Sequence, residues 1–201
     1  MGASASMYNA LRHTVGFEIA FIDWPEYRGE KSYEEVAQRV ISENVINEND
    51  VVGGSSLGGM VALEIAQIVH SKAVILLGSA INSQEVQNLL SIIAPLASVT
   101  PISVVQVLVG KHKNLVSSMF ADANPDFIRA MCTYSSSWNG YQGPVDSLFR
   151  LHGKKDHVIP CPVGGCNVVE GAGHLIAMTH VTETAAYLEK TRSALVNRSS
   201  R

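Results

Sequence analysis

Val51-Val52-Gly53-Gly54-Ser55-Ser56-Leu57-Gly58-Gly59-Met60 decides how the rest of this 201-residue chain is read. Two β-branched residues make a very short strand, glycines make a turn, and from Leu57 to about Val69 Met60, Val61, Leu63, Ile65 and Ile68 supply the apolar positions of a helix. A turn between strand and helix sits at a helix N-terminus, where free N–H groups and the dipole favour negative charge. In a G-x-S-x-G turn the chain reverses so sharply that the central residue is strained and the positions two before and two after it are crowded. Counted from Ser56 those positions are Gly54 and Gly58. Counted from Ser55 they are Gly53 and Leu57, and a leucine does not fit. Ser56 is therefore the candidate nucleophile, with the Leu57 N–H pointing at a developing oxyanion. Glycine-rich turns also cradle phosphates, but the Gly-Lys-Ser/Thr of a Walker loop is absent, and Gly53-x-Ser55-x-x-Gly58 lacks the second glycine of a dinucleotide fingerprint. The motif alone favours the nucleophile without excluding the cradle.

A serine hydroxyl is a weak nucleophile and requires a base, itself oriented by an acid. After a nucleophile in this strand-turn-helix setting, the acid and then the histidine are expected downstream, each following a strand. Leu151-His152-Gly153-Lys154-Lys155-Asp156 offers Asp156, and Val168-Val169-Glu170-Gly171-Ala172-Gly173-His174 offers His174. The other histidines fit less well. His152 lies within a strand, His157 lies beside the acid, and His13, His70 and His112 lie on or near helices. His180 starts or supports the last helix. Ser56, Asp156 and His174 together point to a serine hydrolase.

The wider pattern alternates strand and helix. Met7 to Thr14 reads as a helix, and Phe17-Glu18-Ile19-Ala20-Phe21-Ile22 as a strand running into Asp23-Trp24-Pro25. Ser32 with Glu35 forms a capping box that opens a helix to about Val45. Ala73-Val74-Ile75-Leu76-Leu77, closed by Gly78, is the unbroken apolar run of a parallel strand covered on both faces. Ser147 to His152 and Asn167 to Val169 read as further strands, and Val181 to Ser193 as a last helix. Such alternation means an α/β fold with a mostly parallel sheet. It stops between Gly78 and Pro144. There, 25 residues from Val86 to Gly110 carry no charge and 15 are apolar. Pro95, Pro101 and interspersed polar residues break the run, so it reads as short helices over the sheet, not a membrane span. Residues 79–143 are expected to form a helical cap on a core of residues 1–78 and 144–201. Its underside either makes a second small core or lines a substrate pocket, in which case Leu89, Ile92, Ile93 and Leu96 suggest an apolar acyl group.

Composition narrows the partners. Fifteen Lys and Arg against 18 Asp and Glu give a net charge of −3 with no basic block, which argues against nucleic acid and anionic membrane. Three cysteines, Cys132, Cys161 and Cys166, are too few and too odd in number for a disulfide scaffold, and the C-x4-C spacing has no second ligand pair, so no metal site is expected. Met1 to Arg12 lacks the apolar core of a signal peptide, which makes a cytoplasmic location the default. No cofactor is implied, and the oligomeric state is not legible.

Taken together, the chain resembles the α/β-hydrolase superfamily, particularly its small esterase and lipase-like members. The resemblance runs from Gly2 to about Leu195. Its carriers are Gly2-Ala3-Ser4, Phe21-Ile22-Asp23-Trp24-Pro25, Gly54 to Gly59, Leu151 to Asp156 and Gly171-Ala172-Gly173-His174. It implies Ser56 as nucleophile, His174 as base and Asp156 as orienting acid. It also implies an oxyanion hole formed by the Leu57 N–H and, by position after Gly2, the Ala3 N–H. The implied activity is cleavage of a small carboxylic ester or thioester through an acyl-enzyme. A small-molecule receptor that keeps its triad is the alternative, as is an inactive truncated hydrolase.

The sequence departs from the family in two places. Only 18 positions separate Asp156 from His174, and Val158 to Gly165 reads as plain loop where a helix is common. The loop with Gly2 normally follows a central strand lying between the Phe17 and Val51 strands, and here nothing precedes it. The expectation is an incomplete start, with a sheet of about five strands built from the 136 residues left once the 65 of the cap are set aside.

Overall fold

The computed structural model describes residues 4–86 and 124–199. Four strands form one wholly parallel sheet in the order β1 (Val51–Ser55), β2 (Ala73–Leu77), β3 (Leu148–Gly153) and β4 (Asn167–Val169). The register aligns their carboxyl ends, with Ser55 opposite Leu77, Leu77 opposite Leu151, and Gly153 opposite Val169. β2 is the apolar run Ala73 to Leu77, and its alternating side chains feed two cores. Val74 and Leu76 join the core built with α2 (Tyr33–Asn44) and α3 (Leu57–Val69), while Leu77 joins that of α1 (Asn9–Thr14) and α6 (Val181–Ser199). Both faces of the sheet are thus covered, as a parallel sheet requires.

The helices start where local chemistry says they should. The Ser32 hydroxyl accepts from Glu35 N at 3.1 Å, and the Glu35 carboxylate accepts from Lys31 N at 2.9 Å, one residue outside a strict capping box. Such a cap contributes about 1 kcal/mol. Val36, Ala37 and Val40 on α2 are fully or nearly buried against α3. Two short helices complete the described part: α4 (Pro125–Tyr134) and α5 (Ile176–Thr179).

Two expectations change. Phe17 to Ile22 is not a strand, and the sheet has four described strands instead of about five. The segment's pattern is strand-like, but a strand needs a ladder partner. Between this segment and the outer edge of β1 lies a cavity of about 700 Å³, walled by Phe17 to Trp24 on one side and Val51 to Ser55 on the other. Neither edge reaches the other, so neither pairs among the described residues.

Of the expected cap, residues 87–123 lie outside the described residues. The described part that follows packs against the core of α2 and α3. Phe127, Met131, Cys132 and Tyr134 of α4 and Trp138 are buried in the same cluster as α2 and α3. The Tyr33 hydroxyl donates to Met131 O at 2.7 Å, and the Tyr33 ring meets those of Tyr134 and Trp138 edge-on, each at 5.7 Å. Among the described residues, no helix is long and apolar enough to cross a membrane.

Candidate active site

Ser56 sits between β1 and α3 with φ 54° and ψ −129°, a left-handed conformation that costs a non-glycine residue of order 1–3 kcal/mol. Its surroundings hold it there. Ser56 N donates to Leu77 O at 3.4 Å, and Ser56 O accepts from Gly59 N at 3.0 Å and from the Ser79 hydroxyl at 2.7 Å. A Cβ on Gly54 would overlap the Gly58 carbonyl and come within 2.7 Å of Gly59 N, so glycine is obligatory there. The second crowded position is Gly59, where a Cβ would run into Ser79, and not Gly58, whose Cβ would meet the Trp24 ring at 3.6 Å in ordinary contact. The spacing rule therefore picks the right serine, but the glycine it places after the serine, Gly58, is not a crowded position.

The expected partners converge on this serine. His174, on the loop after β4, places Nε2 2.9 Å from Ser56 Oγ. Its Nδ1 lies 2.9 Å from Oδ2 of Asp156, on the turn after β3. Asp156 and His174 are buried, and Ser56 is half-buried. The three make a continuous hydrogen-bonded chain from a hydroxyl through an imidazole to a carboxylate, the arrangement of a Ser-His-Asp triad.

Asp156 is held as a carboxylate. Burial by itself would raise its pKa, but donors from His152 and His174, the charge of His174 and the Ile159 N–H outweigh it. Together they hold the group well below its ordinary value. Val158 N and Ile159 N donate to Oδ1 at 2.9 and 3.0 Å. The loop Val158 to Gly165, with no helix of its own, thus supplies two of the donors that fix the acid. The short span from Asp156 to His174 does not impair the geometry.

Parallel strands ending in aligned turns that carry serine, acid and histidine in that order, with helices on both faces, settle the architecture. The chain has the α/β-hydrolase fold. No protein-family model matches the sequence, and no curated protein does either. Solved structures do. A thermophilic esterase superposes with a TM-score of 0.73 at 18% identity, over 96% of this chain and 87% of that one. A meta-cleavage product hydrolase from Pseudomonas fluorescens IP01 superposes with a TM-score of 0.66 at 15% identity, over 96% and 87% of the two chains. The N-acyl homoserine lactonase AidH gives 0.64 at 18% identity, over 96% and 86%. At such identities the likeness speaks for the α/β-hydrolase fold alone.

Within this fold, Leu57 opens α3, and its N–H belongs to the first turn, which has no intrahelical acceptor. The other residues expected around the site, Ala3, Leu89, Ile92, Ile93 and Leu96, lie outside the described residues. The cavity beside β1 is lined by Gly54, Ser55 and Gly58 but not by Ser56, Asp156 or His174, so it is a separate feature. Among the described residues no three His, Cys, Asp or Glu side chains gather as metal ligands. Two contributors escaped the sequence reading. Ser79 braces the turn that carries Ser56, and His152, in β3, reaches Asp156. A histidine inside a strand gives no signal of its own, because its partner appears only when the following turn folds back.

Proposed function

We propose that this protein is a serine hydrolase that cleaves a small carboxylic ester or thioester through an acyl-enzyme. The observation that carries the reading is the chain of two 2.9 Å contacts from Ser56 Oγ through His174 to Asp156. In this reading Ser56 Oγ attacks the acyl carbonyl while His174 Nε2 takes the hydroxyl proton and passes it to the leaving group. Asp156 orients the imidazole and stabilises the imidazolium that forms. The N–H groups of Leu57 and Ala3 hold the oxyanion, each contributing roughly 3 kcal/mol to lowering the barrier. His174 then activates water, which releases the acid and restores Ser56.

Residues 79–143 act as a cap whose apolar residues, among them Leu89, Ile92, Ile93 and Leu96, receive an apolar acyl group. The names of the superposing proteins (esterase, meta-cleavage product hydrolase and lactonase) are in keeping with hydrolysis of small molecules. A cytoplasmic setting suits the thiols Cys161 and Cys166, which are not joined in a disulfide. The test is Ser56→Ala. Hydrolysis of p-nitrophenyl acetate and butyrate, and labelling by a fluorophosphonate, should both disappear while circular dichroism and the melting temperature are kept. Undiminished turnover in that variant would refute the assignment.

A further inference from the structure

The Asp156 carboxylate is flanked by two histidines, and the triad accounts for one. His152 projects from β3 and is 1% exposed. Its Nε2 lies 2.7 Å from Ile159 O and 3.3 Å from Asp156 Oδ2, the oxygen that also faces His174. A carbonyl oxygen can only accept, so Nε2 of His152 carries a proton. That proton faces the carbonyl, with the carboxylate oxygen Oδ2 alongside at 3.3 Å. His152 thereby touches both ends of the acid's holding device, since Ile159, whose carbonyl it binds, donates its own N–H to Asp156 Oδ1 at 3.0 Å. Val158 N and Ile159 N thus meet Oδ1, His174 meets Oδ2 at 2.9 Å, and His152 Nε2 approaches the same Oδ2 at 3.3 Å. Among the described residues, the titratable groups in contact with the carboxylate are His152 from β3 and His174 from the loop after β4. At the end of β2 the glycine Gly78 comes close, 3.4 Å from Oδ2 to the place a Cβ would take.

We propose that His152 is a positioning residue of the triad. Its Nε2–H holds the Asp156 carboxylate in the orientation that His174 needs, and by sharing Oδ2 it limits how strongly that carboxylate holds the imidazolium of His174. This rests on the serine-hydrolase reading of Ser56, His174 and Asp156. It goes beyond that reading by assigning to a fourth side chain, which touches neither substrate nor nucleophile, control over the pH at which the base works.

The test compares His152→Phe, which keeps a flat ring and removes the donor, with His152→Gln, whose amide nitrogen can take the place of Nε2. In His152→Phe, kcat for p-nitrophenyl butyrate should fall about 10-fold or more with KM changed by less than about two-fold. The acid limb of the kcat/KM profile should move to higher pH by about half a unit, because Oδ2 then faces His174 alone. His152→Gln should return both toward the unaltered protein. A merely structural role would lower kcat without moving the limb. An unmoved limb in His152→Phe, or Gln and Phe variants equally impaired, would overturn the proposal.

Should His152→Phe not fold, histidine NMR on the unaltered protein decides. His152 must carry its proton on Nε2, and a neutral Nδ1–H tautomer would overturn the proposal. NMR titration of the His174 imidazole needs no substrate. Absent turnover would therefore sink the hydrolase reading while the effect of His152 is still read directly.

Discussion

Replacing Gly59 by alanine should destabilise the protein, whereas the same change one residue earlier should not. A Cβ on Gly59 would overlap the Ser79 side chain, both its Oγ and its Cβ, in the tightly packed contact between α3 and the segment after β2. Forcing an extra methyl into such a site costs typically 1–3 kcal/mol. Displacing Ser79 also breaks its 2.7 Å hydrogen bond to Ser56 O, at about 1 kcal/mol. The helix preference of alanine over glycine returns about 1 kcal/mol. Gly59→Ala should therefore lose about 1–3 kcal/mol net, roughly 2–12 °C in melting temperature for a chain of this length. In Gly58→Ala the new methyl meets only the Trp24 ring at 3.6 Å, so the helix preference stands alone and the melting temperature should rise slightly. The double change Gly59→Ala with Ser79→Gly removes the obstruction and should recover most of the loss. Ester turnover should fall in Gly59→Ala and stay low in the double variant, because both lose the Ser79 hydroxyl that braces the carbonyl of the nucleophile. Differential scanning calorimetry on the three variants, with p-nitrophenyl butyrate assays beside it, decides the matter. A Gly58→Ala protein less stable than Gly59→Ala, or a double variant no better than Gly59→Ala, would refute the reasoning.

Asp156→Asn should keep the fold and lose about 10⁴-fold in kcat, since an amide cannot stabilise the imidazolium and favours the wrong tautomer of His174. Its stability should also differ with pH. The folded state lowers the Asp156 pKa, so the carboxylate contributes stability at neutral pH that fades as pH falls below its ordinary value of 3.8, and urea titrations should show the gap between the two proteins closing there. Glu85→Ala should cost about 3–5 kcal/mol in urea denaturation, because it leaves Arg150, only 5% exposed and 2.6 Å from the Glu85 carboxylate, as an uncompensated buried charge. Changing Arg150 to Met in the same protein should return much of that loss.

Where local chemistry and packing agree, the sequence names elements almost to the residue. β2 is legible because a five-residue apolar run closed by Gly78 fits a parallel strand covered on both faces, and α3 because its turn and apolar spacing start together at Leu57. Phe17 to Ile22 misleads for the opposite reason. Its side chains suit a strand, and Phe17, Ile19 and Phe21 do pack against the core of α1 and α6, but pairing is a property of a distant neighbour. For α4 the sequence leaves the receiving surface open. Phe127, Met131 and Tyr134 give the spacing of an apolar face without saying which core receives it, and only the ring contacts with Tyr33 do so.

The site was legible for a different reason, and β2 shows why, although it contributes no member of the triad. Ser56, Asp156 and His174 follow β1, β3 and β4, and their separation is set by ladders that run through β2 and β3. A slip of one residue in either would shift a strand end by about 3.3 Å and turn its side chains to the other face. That displacement exceeds either of the two 2.9 Å contacts that define the triad. The register of β2 is fixed by burial on both faces, and its exit is fixed by Gly78, which adopts φ 58° and donates its N–H to Leu151 O at 2.9 Å. Chain order in the sequence could therefore stand for geometry, because a parallel sheet with aligned ends turns the order of its strands into positions along one edge. His152 and Ser79 lay beyond that reasoning. His152 meets the turn that follows its own strand, and Ser79 meets the turn after the neighbouring strand β1, and contacts between turns and strand ends leave no periodic trace in a sequence.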